Sequence, residues 1–531
     1  MLKKWYTVNI AGGDNVRQSR TRNSVINSLT SVTTQILTVV MNFVVKIVFT
    51  RTISMEYLGV NGLFANIITM LSLADLGIGT AIPYSLYKPL AEGDHHKVKV
   101  LMKFYSKVYN VIGVVVLLIG LGLIPFLPYL IKGGEGVPDL NLIYALFVIH
   151  SASSYFFVYK RFLIDSDQKG YITARITFIF SFVLSLVQIG ILYLWHNFIL
   201  YLVSSIVFVV LQNVYISHKA AKLYPYIKEK TDEKLEKEDV KEITKNVGSL
   251  FIYKVGSVVT NGTDNMIISK FLGLIPVGIY SNYVLVTKSL NNVVSQLFTA
   301  ITSSIGNLVV TTNKKHSQNV FERLLFLNFW FYAFFSIALM ILINPFIDLF
   351  FGSKFVLSET IVIVLVVDFY LNGMQSVSTS FLNAYGLFYE GRFRPIFMII
   401  VNIIVSLLLV HPFGIAGVLL GTIISRITTI CWMDPRIVYK YGFKDGKAVW
   451  KYYLQYIGYF CLFLFLGLLL YWILGRIVID NILMWIIMGI FVSILINVIF
   501  FVLFFRTDNF CYFYQKIKAV LLSKFRQKKQ A

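Results

Sequence analysis

Cysteine, charge and acidic side chains are all scarce in this sequence of 531 residues. Its three cysteines, Cys431, Cys461 and Cys511, lie far apart without a CxxC pair, so neither a disulfide framework nor a zinc site is indicated. Charged residues make up 14% of the chain, hydrophobic residues 57%, and the mean hydropathy is +0.72. A soluble enzyme of this size needs far more polar surface, so the composition excludes that class and predicts an integral membrane protein.

Acidic residues number 26 against 48 basic ones, which gives a formal charge of +22 and a pI near 9.6. In a soluble chain this balance would suggest a nucleic-acid partner. Here, fourteen apolar runs of spanning length follow one another along the chain. With the N-terminus inside, 39 of the 48 basic residues fall in segments that this count places in the cytoplasm. The charge therefore marks topology, predicting that both termini are cytoplasmic and that no nucleic acid binds.

The fourteen spans are divided into six and eight by one long hydrophilic stretch. We predict a cytoplasmic N-terminal tail (1–23), an N-lobe of six helices (24–217), a charged linker (218–245), a C-lobe of six helices (246–433), two further helices (449–505) and a basic tail (506–531). Turns with almost no loop are expected at Trp195-His196-Asn197, Leu274-Ile275-Pro276 and His411-Pro412.

An internal repeat is consistent with two lobes. At an offset of 219 residues, the aligned pairs are Asn42 with Asn261, Arg51 with Lys270, and Gly59 with Gly278. Because six spans per repeat is an even number, the two halves share one orientation and are related by an axis along the membrane normal. The expected fold is therefore all-α, with two pseudo-twofold-related six-helix lobes and two C-terminal helices.

Seven ionisable residues fall inside the predicted spans. Each would cost about 2.5 to 3.5 kcal/mol at the bilayer centre, so they must face water, a ligand or one another. Lys288 is too deep to reach the interface, whereas snorkelling is an alternative for Lys46, Lys254 and Arg426. The acidic members are either counter-ions for these cations or groups that bind H⁺ or Na⁺. They are Asp75, Asp264 and Asp368.

Asparagines lie one helical turn from two of these charged residues. Asn42 precedes Lys46 by four residues, and Asn292 follows Lys288 by four, so each pair lies on one helix face. Such rows either line a polar cavity or form hydrogen bonds between helices that hold the bundle together.

Two stretches, FTRTISMEYLGVNGLFANIITMLSLADLGIGTAI (Phe49–Ile82) and TDNMIISKFLGLIPVGIYSNY (Thr263–Tyr283), carry a resemblance to a known family. With fourteen spans split six and eight, they are similar to the oligosaccharide flippases of bacterial O-antigen, capsule and exopolysaccharide pathways. These are polysaccharide transporters of the multidrug/oligosaccharidyl-lipid/polysaccharide (MOP) superfamily. The resemblance implies that an undecaprenyl-diphosphate-linked oligosaccharide is moved from the inner to the outer leaflet of the bacterial cytoplasmic membrane by alternating access.

The resemblance also implies a site for this cargo. Cations would bind the diphosphate and amides the sugar hydroxyls, so the predicted substrate-binding residues are Lys46, Arg51, Lys254, Lys288, Asn42, Asn261, Asn291 and Asn292. Membrane lipids, and polysaccharide polymerases and glycosyltransferases of the same pathway, are the expected partners.

No cofactor is predicted. The nearest approach to a phosphate-binding loop, from Gly442 to Ala448, has the wrong spacing and lacks the Ser or Thr. Energy is therefore expected from an H⁺ or Na⁺ gradient or from the membrane potential.

Three other functions compete with this interpretation. A lipid II flippase also has fourteen spans. A multidrug antiporter usually has twelve spans and a more acidic cavity, whereas four basic and three acidic residues lie inside the spans here. A membrane glycosyltransferase or polymerase needs an outer loop with catalytic acids or bases, and the outer loops here are too short, which favours a transporter over an enzyme.

Overall fold

Helix is the sole regular secondary structure in the residues that the computed structural model describes, namely 20–72, 78–132, 137–229, 231, 233, 235–238, 240, 262–387, 390–516 and 518. The first half contains α1 (Arg20–Thr52), α2 (Met55–Leu71), α3 (Ile78–Glu92), α4 (His95–Gly122), α5 (Leu127–Leu130), α6 (Leu140–Tyr155), α7 (Tyr159–Ser166), α8 (Gly170–Trp195) and α9 (Phe198–Leu223). The second half contains α10 (262–272), α11 (Leu274–Thr311), α12 (Lys314–Phe351), α13 (Glu359–Met374), α14 (Ser376–Ala384), α15 (Arg394–Thr428), α16 (Ile430–Ile437), α17 (Val449–Leu474) and α18 (Ile482–Phe504). The all-α prediction is confirmed.

Nine of the described helices are long and apolar enough to cross a membrane, or ten if α6 and α7, bent by 44° at a short break, form one span. The chain is therefore a multi-pass membrane protein. The predicted second span consists of two shorter helices, α2 and α3. Of the predicted seventh span, only 262–272 lies among the described residues.

Of the three predicted turns, one lies where it was predicted and two are shifted by a few residues. His196, with φ of 49°, ends α8 as predicted, and Asn197 caps α9 by accepting a hydrogen bond from the backbone N–H of Leu200. The other two predictions are shifted. The turn expected at Leu274-Ile275-Pro276 lies at Gly273, with φ of 96°, because proline fits the first turn of a helix while glycine adopts the left-handed conformation.

The break expected at His411-Pro412 lies slightly later in the chain. Both residues belong to the helical stretch of α15, and the kink comes at Gly414, with φ of 58° and ψ of −131°. Pro412 removes one backbone hydrogen bond of the helix, and glycine two residues later accepts a conformation that other residues rarely adopt.

The helix starts repeat at the offset seen in the sequence. α2 and α11, α4 and α12, and α6 and α13 each begin 219 residues apart. α4 and α12 also begin with the same kind of cap, because Asp94 and Asn313 each accept a hydrogen bond from a backbone N–H three residues on. The two six-helix lobes thus share one architecture, and α17 and α18 pack against α12 of the second lobe.

The two lobes meet where α2 crosses α11. A Cβ atom added to Gly59 would lie 2.0 Å from the carbonyl oxygen of Leu274, and one added to Gly278 would lie 3.0 Å from the carbonyl oxygen of Met55. These contacts are equivalent under the repeat, because Gly59 corresponds to Gly278 and Met55 to Leu274. The pseudo-twofold axis therefore passes close to this glycine crossing, where the two backbones touch.

The same symmetry relates two cations at the predicted outer end. Arg51 donates from Nε and Nη2 to the carbonyl oxygens of Phe350 and Leu349 at the end of α12, each at 3.2 Å. Its repeat partner, Lys270, donates from Nζ to the carbonyl oxygen of Tyr129 in α5 at 2.6 Å. Each lobe thereby binds the helix end of the other, and together these bonds hold the lobes closed at this end.

We expect Gly59→Ala to lower the thermal stability of the purified protein. The added methyl group would overlap the backbone of α11, and overpacking of this kind costs about 1 to 3 kcal/mol. Gly190→Ala is the matched control, because a Cβ atom at Gly190, within α8, meets no atom within 4 Å. Equal melting temperatures for the two variants would contradict the tight crossing.

Candidate functional site

Lys46 of α1 points at α11. Its Nζ donates a hydrogen bond to the hydroxyl of Ser281 at 3.2 Å, and it forms no ion pair with a carboxylate of the described residues. Asn42, one turn earlier on the same helix face, is exposed. This face of α1 is therefore polar and carries a positive charge without a counter-ion in the described part of the chain.

Lys288 of α11 continues the surface that Lys46 contacts. It lies seven residues after Ser281, which places both on one helix face about 10 Å apart along the axis. Its side chain is exposed rather than packed, and Asn292, one turn further on, is exposed as well. Lys288 is also close enough to Asp264 for electrostatic interaction. The structure thus places Lys46 and Asn42 on one face of α1, with Lys46 against α11, and Lys288 and Asn292 on the face of α11 that carries Ser281. We call these two facing surfaces the α1–α11 junction.

Two other predicted contacts lie elsewhere. Asn291 accepts a hydrogen bond from the hydroxyl of Tyr332 at 2.7 Å, which joins α11 to α12. Arg51 bonds the carbonyl oxygens at the end of α12, so its guanidinium lies at the predicted outer end rather than beside Lys288. Three further predicted residues, Lys254, Asn261 and Asp75, fall outside the described residues.

Asp264 of α10 is buried and forms no direct ion pair with a basic side chain of the described residues. Both of its carboxylate oxygens accept from the hydroxyl of Thr422, at 3.0 and 3.1 Å. The side-chain amide of Asn402 donates from Nδ2 to that hydroxyl at 2.9 Å, and the Thr263 hydroxyl donates to Oδ1 of Asn402 at 3.0 Å. We call these four residues the Asp264 cluster. It gathers neutral oxygen atoms around one buried carboxylate.

Sequence reasoning missed three members of the Asp264 cluster. Thr263, Asn402 and Thr422 are single polar residues in apolar helices, and such residues are common in membrane bundles. Only the packing of α10 against α15 shows that they meet at one carboxylate.

Asp368 is paired, unlike Asp264. Arg426 Nε donates to its carboxylate at 2.9 Å, while Arg426 Nη1 donates to the side chain of Asn372 at 2.7 Å. The side chain of Arg426 is only 6% exposed, so it binds across the bundle and does not snorkel. Both members of this pair interact electrostatically with Asp264. The second lobe therefore holds two carboxylates and one guanidinium in one buried region.

The fold belongs to a known class of transporter structures. No protein-family model and no curated protein matches the sequence. Among solved structures, an inward-facing multidrug resistance MATE family transporter of the MOP superfamily matches with a TM-score of 0.61 and 15% identity, over 77% of this chain and 98% of that one.

Two further solved structures share this fold. The lipid II flippase MurJ in an inward closed conformation matches with a TM-score of 0.60 and 14% identity, over 91% of this chain and 100% of that one. A MOP superfamily transporter from Pyrococcus furiosus matches with a TM-score of 0.55 and 14% identity, over 80% and 97%. Identities this low establish the fold, and the function must be argued from the site.

We expect removal of one member of the Asp368–Arg426 pair to destabilise the second lobe more than removal of both members. Arg426→Leu leaves a carboxylate unpaired, which costs about 3 kcal/mol or more when the pair is buried. Adding Asp368→Asn should recover much of that loss, measured by thermal unfolding in detergent. Lys451→Met provides the control, because Lys451 pairs with Glu322 while 73% exposed and such pairs contribute little. A double variant as unstable as Arg426→Leu would contradict the pairing.

Proposed function

We propose that this protein is a flippase that moves an undecaprenyl-diphosphate-linked oligosaccharide from the inner to the outer leaflet of the bacterial cytoplasmic membrane. One observation carries the proposal: Lys46 bonds Ser281 of α11, Lys288 lies on the same face of α11, and neither lysine has an ion-pair partner among the described residues. A cation within apolar helices is costly unless an anion or water compensates it. A diphosphate is such an anion, and ammonium groups bind phosphate oxygens by charge-assisted hydrogen bonds.

The neighbouring amides suit the rest of the cargo. Asn42 and Asn292 are exposed one turn from Lys46 and Lys288, so they are placed to bond sugar hydroxyls next to a bound diphosphate. The apolar prenyl tail needs no polar pocket, because it can remain in the bilayer. The site thus supports a ligand with an anionic centre, a polar head and a lipid tail.

The closed outer end supports loading from the inner leaflet. Arg51 and Lys270 join the lobes there, and the α2–α11 crossing leaves no space between them. Rocking of the lobes about this crossing would open the outer end by breaking these few bonds to carbonyl groups, in the manner of alternating access.

A lipid II flippase is the second candidate, because the likeness to MurJ extends over 91% of this chain while that to the MATE transporter covers 77%. Both candidates carry a lipid-linked diphosphate, so the same two lysines serve either. A multidrug antiporter, which would bind cationic drugs, is less consistent with two lysines at the α1–α11 junction that have no ion-pair partner among the described residues.

The Asp264 cluster is the proposed coupling site. A buried carboxylate that forms no direct ion pair is stabilised by a proton or a bound metal ion, and carboxylate, hydroxyl and amide oxygens are the ligands that hard cations such as Na⁺ prefer. Its electrostatic contact with Lys288 links occupancy of this site to the substrate site. An ion entering here would weaken the attraction between Asp264 and Lys288 and free the lysine for the diphosphate.

We expect Lys288→Ala to abolish export of the lipid-linked glycan while the protein still reaches the membrane, because the diphosphate loses its deepest cation. Cells should lose surface polysaccharide and accumulate the undecaprenyl-linked oligosaccharide, whose identification by mass spectrometry names the cargo. Lys288→Arg should retain part of the activity, and Lys315→Ala, at an exposed position, should retain all of it. Normal surface polysaccharide in Lys288→Ala would refute the site, and accumulation of lipid II would favour the second candidate.

We expect Asp264→Asn to block transport in proteoliposomes and to remove its response to Na⁺ or pH gradients. Thr422→Val should weaken the same response, since it removes the hydroxyl that bonds the carboxylate. Asp480→Asn, at an exposed position, is the control. An unchanged rate and gradient response in Asp264→Asn would leave this aspartate a structural role only.

A further inference from the structure

A second cluster of cations lies on helices other than α1 and α11. Five lysines line a cavity of about 460 Å³ between α4, α7 and the short helix that follows α9, Pro225–Lys228. They are Lys99, Lys103, Lys107, Lys160 and Lys228. We call this cavity the lysine pocket. None of the helices around it contributes to the substrate site or to the Asp264 cluster.

The lysine pocket has a large excess of positive charge. The one acidic residue among its described lining residues is Glu229, which pairs with Lys99 at 3.1 Å. Lys103 donates to the carbonyl oxygen of Thr231, and Lys160 donates to the hydroxyl of Ser217 at 2.8 Å. These neutral partners orient the ammonium groups without neutralising them. Five positive charges thus face one negative charge in the described lining.

Helix packing brings the five lysines of the lysine pocket close to one another. Lys99, Lys103 and Lys107 follow at intervals of four, so they share one face of α4, where like charges repel. Lys160 and Lys228 approach from two other elements and also repel each other. The Lys99 side chain is only 16% exposed, so water screens it poorly. An anion at the centre of this arrangement would reduce the repulsion.

Topology marking alone does not explain the lysine pocket. Positive-inside residues need only lie on the cytoplasmic side, and they need not converge on a cavity. In the second lobe, the positions 219 residues after four of these lysines carry no positive charge: Gln318, Glu322, Phe326 and Thr379 correspond to Lys99, Lys103, Lys107 and Lys160, whereas Lys447 corresponds to Lys228. The row of three lysines on α4 therefore has no basic counterpart at the matching positions of α12, although these two helices begin in register.

The lysine pocket lies at the edge of the apolar region and against the predicted linker. The apolar part of α4 begins at Val108, directly after Lys107. The other wall is the start of the linker, which is held to α4 by the Lys99–Glu229 pair and by a 3.1 Å contact between His96 and Glu233. A ligand here would bridge α4, α7 and the linker at the level of lipid headgroups.

We propose that the lysine pocket binds a ligand bearing phosphate groups with at least two negative charges, and that this ligand fastens the linker to the first lobe. Phosphate oxygens accept several charge-assisted hydrogen bonds at once, which matches several ammonium groups around a small cavity. The same chemistry is offered by the headgroup of an anionic lipid and by a free polyphosphate in the cytoplasm.

The test is thermal unfolding and titration calorimetry of the full-length protein in detergent. One arm adds sodium pyrophosphate, compared with sodium chloride at equal ionic strength. The other adds dioctanoyl phosphatidic acid, whose phosphomonoester can carry two negative charges, compared with dioctanoyl phosphatidylcholine. A response to pyrophosphate alone identifies a free polyphosphate as the ligand type, and a stronger response to the anionic lipid identifies a headgroup.

Lys107→Gln and Lys228→Gln are the informative variants, because both side chains are exposed in the pocket wall and their loss should leave the fold intact. We expect each to weaken binding of the effective probe about tenfold, and the double variant further. Tryptic cleavage of the linker should slow when the probe binds wild type but not the double variant. Lys222→Gln, an exposed lysine outside the pocket, is the matched control. Equal affinities in wild type, double variant and control, or no binding of either probe, would overturn the proposal.

Discussion

The cost of an uncompensated charge among apolar helices explains how the described ionisable side chains inside the predicted spans are partnered. Arg426 meets that cost by pairing with Asp368, and Arg51 by bonding carbonyl groups at a helix end. Asp264 relies on hydroxyl and amide groups, which stabilise a carboxylate less than a cation would. Lys46 bonds the hydroxyl of Ser281, Lys288 is exposed, and neither has an ion-pair partner among the described residues. The charges that the described protein does not compensate are those on which transport would depend.

The second constraint is the contact of two helix backbones where the two lobes meet. Gly59 and Gly278 let α2 and α11 touch, and repeat-related cations tie the helix ends beside them. A crossing without side chains can act as a pivot, because few interlocking contacts must be broken when the lobes rock. The symmetry of this crossing contrasts with the asymmetry of the charges. The Asp264 cluster belongs to the second lobe and the lysine pocket to the first, so the repeated architecture carries two different ionic sites.

Transporters with very different cargo share this fold at about 15% identity. Because this fold does not fix the cargo, the function has to be argued from the side chains. In this chain lysines lie on α1 and α11 and carboxylates lie near α15, and the proposed function rests on these groups.

The sequence by itself determined the membrane class, the helical architecture and the 219-residue repeat, because apolar length, charge asymmetry and spacing are local properties of the chain. It also identified Lys288 and Asp264 as ionisable groups inside the predicted spans, where a charge is costly. Only the tertiary structure decided which groups meet. Arg426 could have snorkelled and pairs with Asp368 instead, while Thr422 and Asn402 converge on Asp264 from positions that carry no signal of their own. Likewise, Lys160 and Lys228 join three lysines of α4 because helix packing brings together residues that lie more than fifty positions apart.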